Sequence, residues 1–327
     1  MADRFEPQAN LVTVFGGSGF VGRHVVKALA NRGYRVRVAC RRPDLAGFLR
    51  PLGTVGQIQP VQANLRYPDS VARVIDGADA VINLVGILYE TGRQKFSSIQ
   101  AEGARAVARA AKEEGVERFV QVSAIGADAT SDIAYQRSKG EAEAAVFDAH
   151  PEANVLRPSI IFGPEDNFFN QFAGMAASLP ALPLIGGGET RFQPVYVQDV
   201  AEVVARGVDG VLKPGAIYEL GGPHVATFKE CLELMLAIIK RDPMLLTIPF
   251  GIAKLQGRIM QLLPKPPLTY DQVRMLEQDN VVSDAAKAEG RTLEGLGINP
   301  QSMDAILPTY LVRFRPYGQF SPDSVEN

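Results

Sequence analysis

A chain of 327 residues, 46% hydrophobic and 21% charged, has the balance of an ordinary soluble protein and suits one large domain or two closely joined ones. Its net charge of −2 excludes a globally polybasic surface, so no nucleic-acid partner is expected. Cys40, Cys231 and the three histidines His24, His150 and His224 lack a metal-ligand spacing, and neither a disulfide framework nor a metal site is expected.

The opening MADRFEPQAN has neither the basic and apolar regions of a secretory signal nor the Arg- and Ser-rich stretch of a mitochondrial presequence. No apolar run approaches the ~20 residues that span a bilayer. A chain kept in the cytoplasm is therefore expected, with a place on a membrane surface still open to it.

The first half alternates strand and helix patterns. Leu11–Phe15 reads as a buried strand and Val21–Ala30 as a helix; Arg35–Ala39, Gln57–Gln62 and Ala80–Val85 read as further strands. An Ala-rich helix from about Phe96 to Glu114 leads to the strand Phe119–Ser123, a helix Ala134–Phe147 and the strand Asn154–Arg157. Short connections between alternating elements predict a parallel, doubly wound sheet covered on both faces. After Pro158 the pattern loosens, with Gly and Pro gathered at 162–164 and 182–188. The helix Val197–Val208 and the strand Ile217–Leu220 are expected to return to the main sheet, helices dominate from Thr227, and the polar stretch from Arg313 ends the chain. The predicted division is residues 1–226, with lobe insertions around 159–194, and a helical lobe and tail over 227–327.

Between the first strand and the first helix stands Gly16-Gly17-Ser18-Gly19-Phe20-Val21-Gly22. It fits G-x-G-x-x-G through Gly17, Gly19 and Gly22, and G-x-x-G-x-x-G through Gly16, Gly19 and Gly22. Glycines let the backbone turn tightly and approach a pyrophosphate, whose charge meets the free N–H groups of a helix start. A glycine triplet alone is weak; one that leaves a strand and opens a helix points to a dinucleotide. At the end of the second strand an NAD-binding unit offers an acid to the ribose 2′-hydroxyl. Here the residues are Arg41 and Arg42, with no acid before Asp44. Guanidinium groups suit a 2′-phosphate, so NADPH is favoured over NADH; the bland alternative is solvated surface charge.

Tyr135 and Lys139 stand at i and i+4 of a predicted helix, on one face. An ammonium beside a phenol is expected to lower its pKa toward a working value for general acid–base chemistry, and Ser123 ends the preceding strand. This spacing is common by chance, and only its position beside the expected crevice gives it weight.

Together the glycine turn, Asn64-Leu65, Asn83-Leu84-Val85-Gly86, the Tyr–Lys pair and Leu156–Pro164 resemble the short-chain dehydrogenase/reductase superfamily in its extended or atypical branch. The resemblance implies a Rossmann-type doubly wound sheet with an intertwined, smaller, mostly helical C-terminal lobe. It implies Asn64 and Leu65 near the adenine, Val85 and Gly86 near the ribose, Lys139 on the nicotinamide ribose and Pro158 near the nicotinamide. VSAIGADA, YQRSKGEAEAAV, RPSIIFGPEDNFFNQFA, FQPVYVQDVA and LTYDQVRMLEQDNVVSD resemble, more narrowly, the nucleotide-binding accessory subunits of respiratory complex I and their alphaproteobacterial relatives. Such subunits hold NADPH on the peripheral arm near the membrane and serve assembly or stability. Intact Tyr135 and Lys139 cut against a purely structural role. Ala124 and Ile125, where many extended members place the active Ser or Thr, cut against catalysis.

Beyond this, Ile252, Leu255, Ile259 and Leu262 recur at helical spacing, with Lys254, Arg258 and the following Lys265 between and after them. Such a helix suits an apolar partner or anionic lipid, whereas its bland reading is a stripe packed on the chain's own core. Phe168, Phe169 and Phe172 read first as core and second as a pocket wall. The leading expectation is an NADPH-holding accessory subunit on complex I, in contact with its peripheral-arm and membrane-proximal subunits at the cytoplasmic face of a bacterial inner membrane. Set against it are a free cytoplasmic NADPH-dependent reductase, epimerase-type or quinone-type oxidoreductase using Ser123, Tyr135 and Lys139, and a redox-sensing binding module that no residue selects.

Overall fold

The computed structural model describes residues 10–263 and 266–318, so Lys265 and the two chain ends lie outside the described residues. Through the first half the order is β1 (Leu11–Phe15), α1 (Phe20–Asn31), β2 (Arg35–Cys40), β3 (Ile58–Gln62), α2 (Pro68–Ile75), β4 (Ala80–Asn83), α3 (Glu102–Glu113), β5 (Arg118–Val122), α4 (Ala134–Ala149) and β6 (Asn154–Pro158). There follow β7 (Ile161–Phe162), α5 (Phe168–Ser178), β8 (Ala181–Ile185), β9 (Arg191–Phe192), β10 (Val195–Tyr196), α6 (Val197–Val208), β11 (Ile217–Leu220), β12 (Ala226–Thr227), α7 (Phe228–Ile239), β13 (Met244–Ile248), α8 (Phe250–Met260), α9 (Tyr270–Met275) and α10 (Asp284–Ala288).

Seven strands form one sheet in the order β3-β2-β1-β4-β5-β6-β11, and the neighbours from β3 to β6 pair in parallel. The order in which strands are added reverses between β1 and β4, the switch point at which such sheets bind ligands. The period of two assigns the faces. Phe15, Val81 and Phe119 join Val71, Val74, Ile75, Val107 and Val146 from α2, α3 and α4 in one core. On the opposite face α6 comes so close that a Cβ on Gly207 would stand 2.7 Å from the Val120 side chain. There α1 is tied to α6 through Arg32, paired with Glu202 at 2.7 Å and Asp209 at 3.0 Å. The central strands β1, β4 and β5 are thus buried on both faces, whereas β2 and β3 toward the edge keep Arg35, Gln59 and Gln62 exposed.

The chain divides into two units, and the described residues up to Arg157 together with Val200–Tyr218 form the first. Pro158–Asp199 and the described residues from Glu219 onward form the second. In the second unit β7 pairs with β10 and β8 with β13, both in parallel, and β9 pairs with β12 antiparallel. The β8–β13 pair is a departure from the helical lobe expected after Thr227. Pro183 and the run Gly186–Gly188 disguised β8 as a loop, and edge strands tolerate proline where the ladder asks no N–H of it. Helix starts follow local rules: Thr227 with Glu230, and Thr269 with Gln272, each form a reciprocal capping box.

Gln193 holds the second unit together from inside. Its Nε2 donates to Gly222 O at 2.8 Å and its Oε1 accepts from Val282 N at 3.0 Å. Beside it the Ser159 hydroxyl bonds Asn280, at 2.8 Å to the carbonyl and 2.7 Å to Oδ1. Replacing Gln193 by alanine leaves a buried donor and a buried acceptor unpaired, at about 2 kcal/mol. Urea unfolding should show that loss, and an unchanged midpoint would mean that water replaces the amide without cost.

The aromatic run of α5 is core. Phe169 is fully buried; half-buried Phe168 meets Phe192 edge-on at 6.2 Å, and half-buried Phe172 meets Phe228 edge-on at 5.4 Å. The stripe of α8 is not. Ile252, Leu255, Ile259 and Leu262 are 53%, 61%, 61% and 82% exposed, which corrects the reading that they pack on the chain's own core. Instead α8 is seated through its small residues: Ala253 is fully buried, and a Cβ on Gly257 would fall 2.9 Å from the backbone at Thr269 and Tyr270. Its cations are engaged within the chain, Lys254 with Glu277 at 2.7 Å and Arg258 over the Tyr270 ring at 4.6 Å. No helix among the described residues is long and apolar enough to cross a membrane.

Candidate functional site

At the switch point, β1 runs into the glycine turn. Gly16 takes φ +78°, its N–H reaches Ala39 O at 3.3 Å, and its carbonyl accepts from Gly19 N at 3.0 Å. That folds the chain back so that α1 starts at Phe20, with Gly19 as a cap that has no side chain and with no acid in the first turn. The first N–H groups of α1 are thus left to a ligand, and the helix end favours an anion. The turn closes only because two positions lack a Cβ. One on Gly22 would lie 2.2 Å from Gly16 O, and one on Gly17 would lie 2.9 Å from the Val38 side chain. Gly19 is different: its nearest neighbour would be Gly16 O at 3.3 Å, so the space it leaves faces outward.

A cavity of about 380 Å³ lies against this turn. Gly16, Ser18, Gly19, Phe20, Val21 and Gly22 form its floor; Cys40 and Arg41 at the end of β2, and Asn64 and Leu65 after β3, form one wall. Val85, Gly86 and Ile87 after β4, with Gln94 and Ile99, form the other. Gly17 is packed beneath, and Pro158 is a residue of the second unit that does not line the cavity. The two arginines part company. Arg41 reaches the cavity wall and donates to Gln94 Oε1 at 3.0 Å, while Arg42 turns to Asp44 at 2.9 Å in the solvent.

The loops that carry this wall are held by side chains. Asn64 Oδ1 accepts from Arg66 N at 3.2 Å, and Asn83 Oδ1 accepts from Val85 N at 3.2 Å. Asn83 Nδ2 also donates to Gln121 Oε1 at 2.9 Å, and Gln121 Nε2 in turn donates to Val122 O at 3.0 Å, a run of buried polar groups. Leu65 packs on Gly103, where a Cβ would come within 3.0 Å of it.

Lys139 reaches across from α4. Its ammonium abuts Gly86, at 3.1 Å from where a Cβ would be, and lies 3.5 Å from Val122 O. Burial lowers its pKa to about 8, against the pull of Glu143 the other way. Glu143, buried, is itself paired with the half-buried Arg157 at 2.5 Å. Tyr135 stacks edge-on with Phe96 at 6.0 Å, and desolvation lifts its phenol to about 12. Burial thus moves the phenol the opposite way from the lowering expected of Lys139. Ser123 is buried, and its hydroxyl has no hydrogen-bond partner among the described residues.

Several site residues escaped the sequence reading. Ile87 simply continues a segment already singled out. Gln94 sits in a loop with no periodicity to mark it. Gln100 lies in a π-turn, Ser97–Ala101, at the head of what reads as a regular helix. It is buried, donates to Ser138 Oγ at 2.6 Å and accepts from Ile87 N at 3.4 Å. A polar side chain inside an Ala-rich apolar run was the available signal.

This fold and this cradle define an NAD(P)H-binding α/β protein. A family model described as NAD(P)H-binding matches residues 16–161, and the chain binds a nicotinamide dinucleotide. NADH dehydrogenase (ubiquinone) 1 alpha subcomplex subunit 9, mitochondrial, of Arabidopsis thaliana is 37% identical over 320 residues, 94% of this chain and 79% of that one. The chain belongs to the family of that subunit. A Caulobacter vibrioides protein named ceramide reductase is 35% identical over 191 residues, 58% of each chain. The solved UDP-glucose 4-epimerase of Thermus thermophilus with NAD shares the fold at a TM-score of 0.68 and 20% identity, over 94% of this chain and 99% of that one.

Proposed function

We propose that the chain is an accessory subunit of respiratory complex I that holds NADPH as a structural group, on the peripheral arm near the membrane at the cytoplasmic face of a bacterial inner membrane. One observation carries the reading: a chain related along 94% of its length to a complex I subunit turns an apolar helix face to solvent. A large exposed apolar patch on a soluble unit marks a surface meant to be covered. The face of α8 and the turn after it, Ile252 to Leu262, is assigned to contact with the membrane-proximal surroundings of the complex, lipid included.

The cradle fits the cofactor by its own geometry: glycines packed to the exclusion of a Cβ, free N–H groups at α1, and a guanidinium on the ribose wall. Arg41 favours a 2′-phosphate, hence NADPH over NADH, while Arg42 is already neutralised by Asp44. Gly16, Ser18, Gly19, Phe20, Val21 and Gly22 would hold the pyrophosphate, Asn64 and Leu65 the adenine, Val85 and Gly86 the ribose, Lys139 the nicotinamide ribose and Pro158 the nicotinamide end.

Extraction of membranes in mild detergent and capture of the chain should bring complex I subunits with it. Leu255→Glu together with Ile259→Glu should weaken that capture at least about tenfold while nucleotide content is retained. Capture of a monodisperse protein alone from native membranes would sink the proposal.

A second reading is a free NADPH-dependent reductase, favoured by intact Tyr135 and Lys139. A bound nicotinamide supplies a hydride. The Tyr135 hydroxyl would then deliver the proton to a carbonyl oxygen that Ser123 Oγ steadies, with Lys139 holding the ribose. Turnover against a panel of carbonyl compounds, abolished by Tyr135→Phe, would select it; retained nucleotide with no turnover selects the first.

A further inference from the structure

The loop between β4 and the π-turn is built as a clasp over the cofactor cradle. Thr91 and Gln94 exchange both backbone hydrogen bonds, N to O at 3.1 Å and 2.8 Å, and so pinch residues 91–94 into a tight turn. Its base is pinned by Glu90, whose carboxylate accepts from Phe96 N at 2.8 Å and from Lys95 Nζ at 3.1 Å. From this braced turn the half-buried Gln94 side chain reaches the cavity wall and accepts from Arg41 Nη1 at 3.0 Å. β2 and the loop after β4 are thereby joined across the mouth of the cavity by one side-chain contact.

We propose that Gln94 is a specificity-determining residue, which aims the Arg41 guanidinium at a nucleotide 2′-phosphate and closes the turn 91–94 over the bound dinucleotide. The inference rests on the reading of Arg41 as the 2′-phosphate group. A free arginine gives up its rotamer freedom when it meets a phosphate, and that loss weakens the gain. An arginine already fixed at Nη1 by a braced amide has surrendered much of it beforehand, and keeps its remaining donors for the anion. The amide also brings no charge of its own, so it positions the cation without neutralising it. Asp44 does the reverse to Arg42, setting a carboxylate against its Nε and Nη2 in the solvent.

Titration of nucleotide-stripped protein with NADPH and NADH tests this, with the ratio of the two affinities as the readout. Gln94→Glu puts a carboxylate on Arg41 and beside the expected phosphate; the NADPH-to-NADH ratio should fall about tenfold or more. Gln94→Ala should lower it about threefold and speed NADPH release. Arg41→Ala serves as the reference, with a fall at least as large as that of Gln94→Glu. If Arg41→Ala leaves the ratio unchanged, the NADPH reading itself fails. If Arg41→Ala collapses the ratio and both Gln94 variants keep it, the clasp alone is overturned.

Discussion

Gly22→Ala is expected to abolish nucleotide binding and to cost the fold about 2–4 kcal/mol. The added Cβ would sit 2.2 Å from Gly16 O and 2.5 Å from Gly17 Cα. Both are backbone atoms, so no rotamer change relieves the clash; the turn and the first turn of α1 must separate. Gly16 cannot yield, since φ +78° and the bond from Gly19 N define the turn. Gly17 is locked under the Val38 and Val14 side chains. Gly19→Ala makes the instructive contrast, with its Cβ 3.3 Å from one carbonyl oxygen and otherwise free. That variant should fold with nearly wild-type stability yet bind nucleotide poorly, because the methyl occupies the approach to the helix N-terminus. Thermal unfolding and the nucleotide released on denaturation read the two effects separately. Should Gly22→Ala fold and retain nucleotide, the tight turn would not be what shapes the cradle.

Lys139→Met is expected to stabilise the nucleotide-free protein by up to about 3 kcal/mol near neutral pH, while weakening NADPH binding. An ordinary lysine titrates near 10.5, and burial beside Gly86 brings this one down to about 8. Between those values the folded protein binds fewer protons than the unfolded chain, so wild-type stability rises with pH from about 8 to about 10.5. Below about 8 both states are protonated and the full cost of a buried ammonium is present. The difference between variant and wild type should therefore be largest below pH 8 and shrink toward pH 10.5. Urea midpoints measured across that range decide it. A difference that stays constant with pH would show that the ammonium is solvated in the folded state. Saturating NADPH should narrow the gap from the other side, because it binds the folded wild type more tightly than the variant.

These two expectations rest on features of different legibility. The glycine turn could be read in advance, because a strand, a backbone that needs special dihedrals, and a helix start are all local events. So could the order of strands through β6, though α2 (Pro68–Ile75) between β3 and β4 went unread. The Tyr135–Lys139 pair was legible as spacing, but not its electrostatics. How far a group is desolvated depends on what the β4 and β5 loops bring against it, and Gly86 is more than fifty positions from Lys139.

Arg41 and Arg42 show the same boundary in adjacent residues. They are chemically identical in the sequence, and only the folded chain gives one to Gln94 and the other to Asp44. The stripe on α8 shows it again. Periodicity identified an apolar face without saying which way it points. Small residues decided that, since Ala253 and Gly257 let α9 approach and leave the large side chains outside. Strands β8 and β13 were missed because a short apolar run beside proline and glycine carries no period of its own, and pairing to a distant partner makes it a strand.

What the sequence by itself determined is thus the dinucleotide turn, the doubly wound sheet and the family likeness, since each is written in neighbouring residues. Which arginine faces the cavity, which lysine is desolvated and which helix face stays uncovered were decided by tertiary structure. Those properties belong to pairs of groups far apart in the chain, and they have a value only once the fold has brought them together.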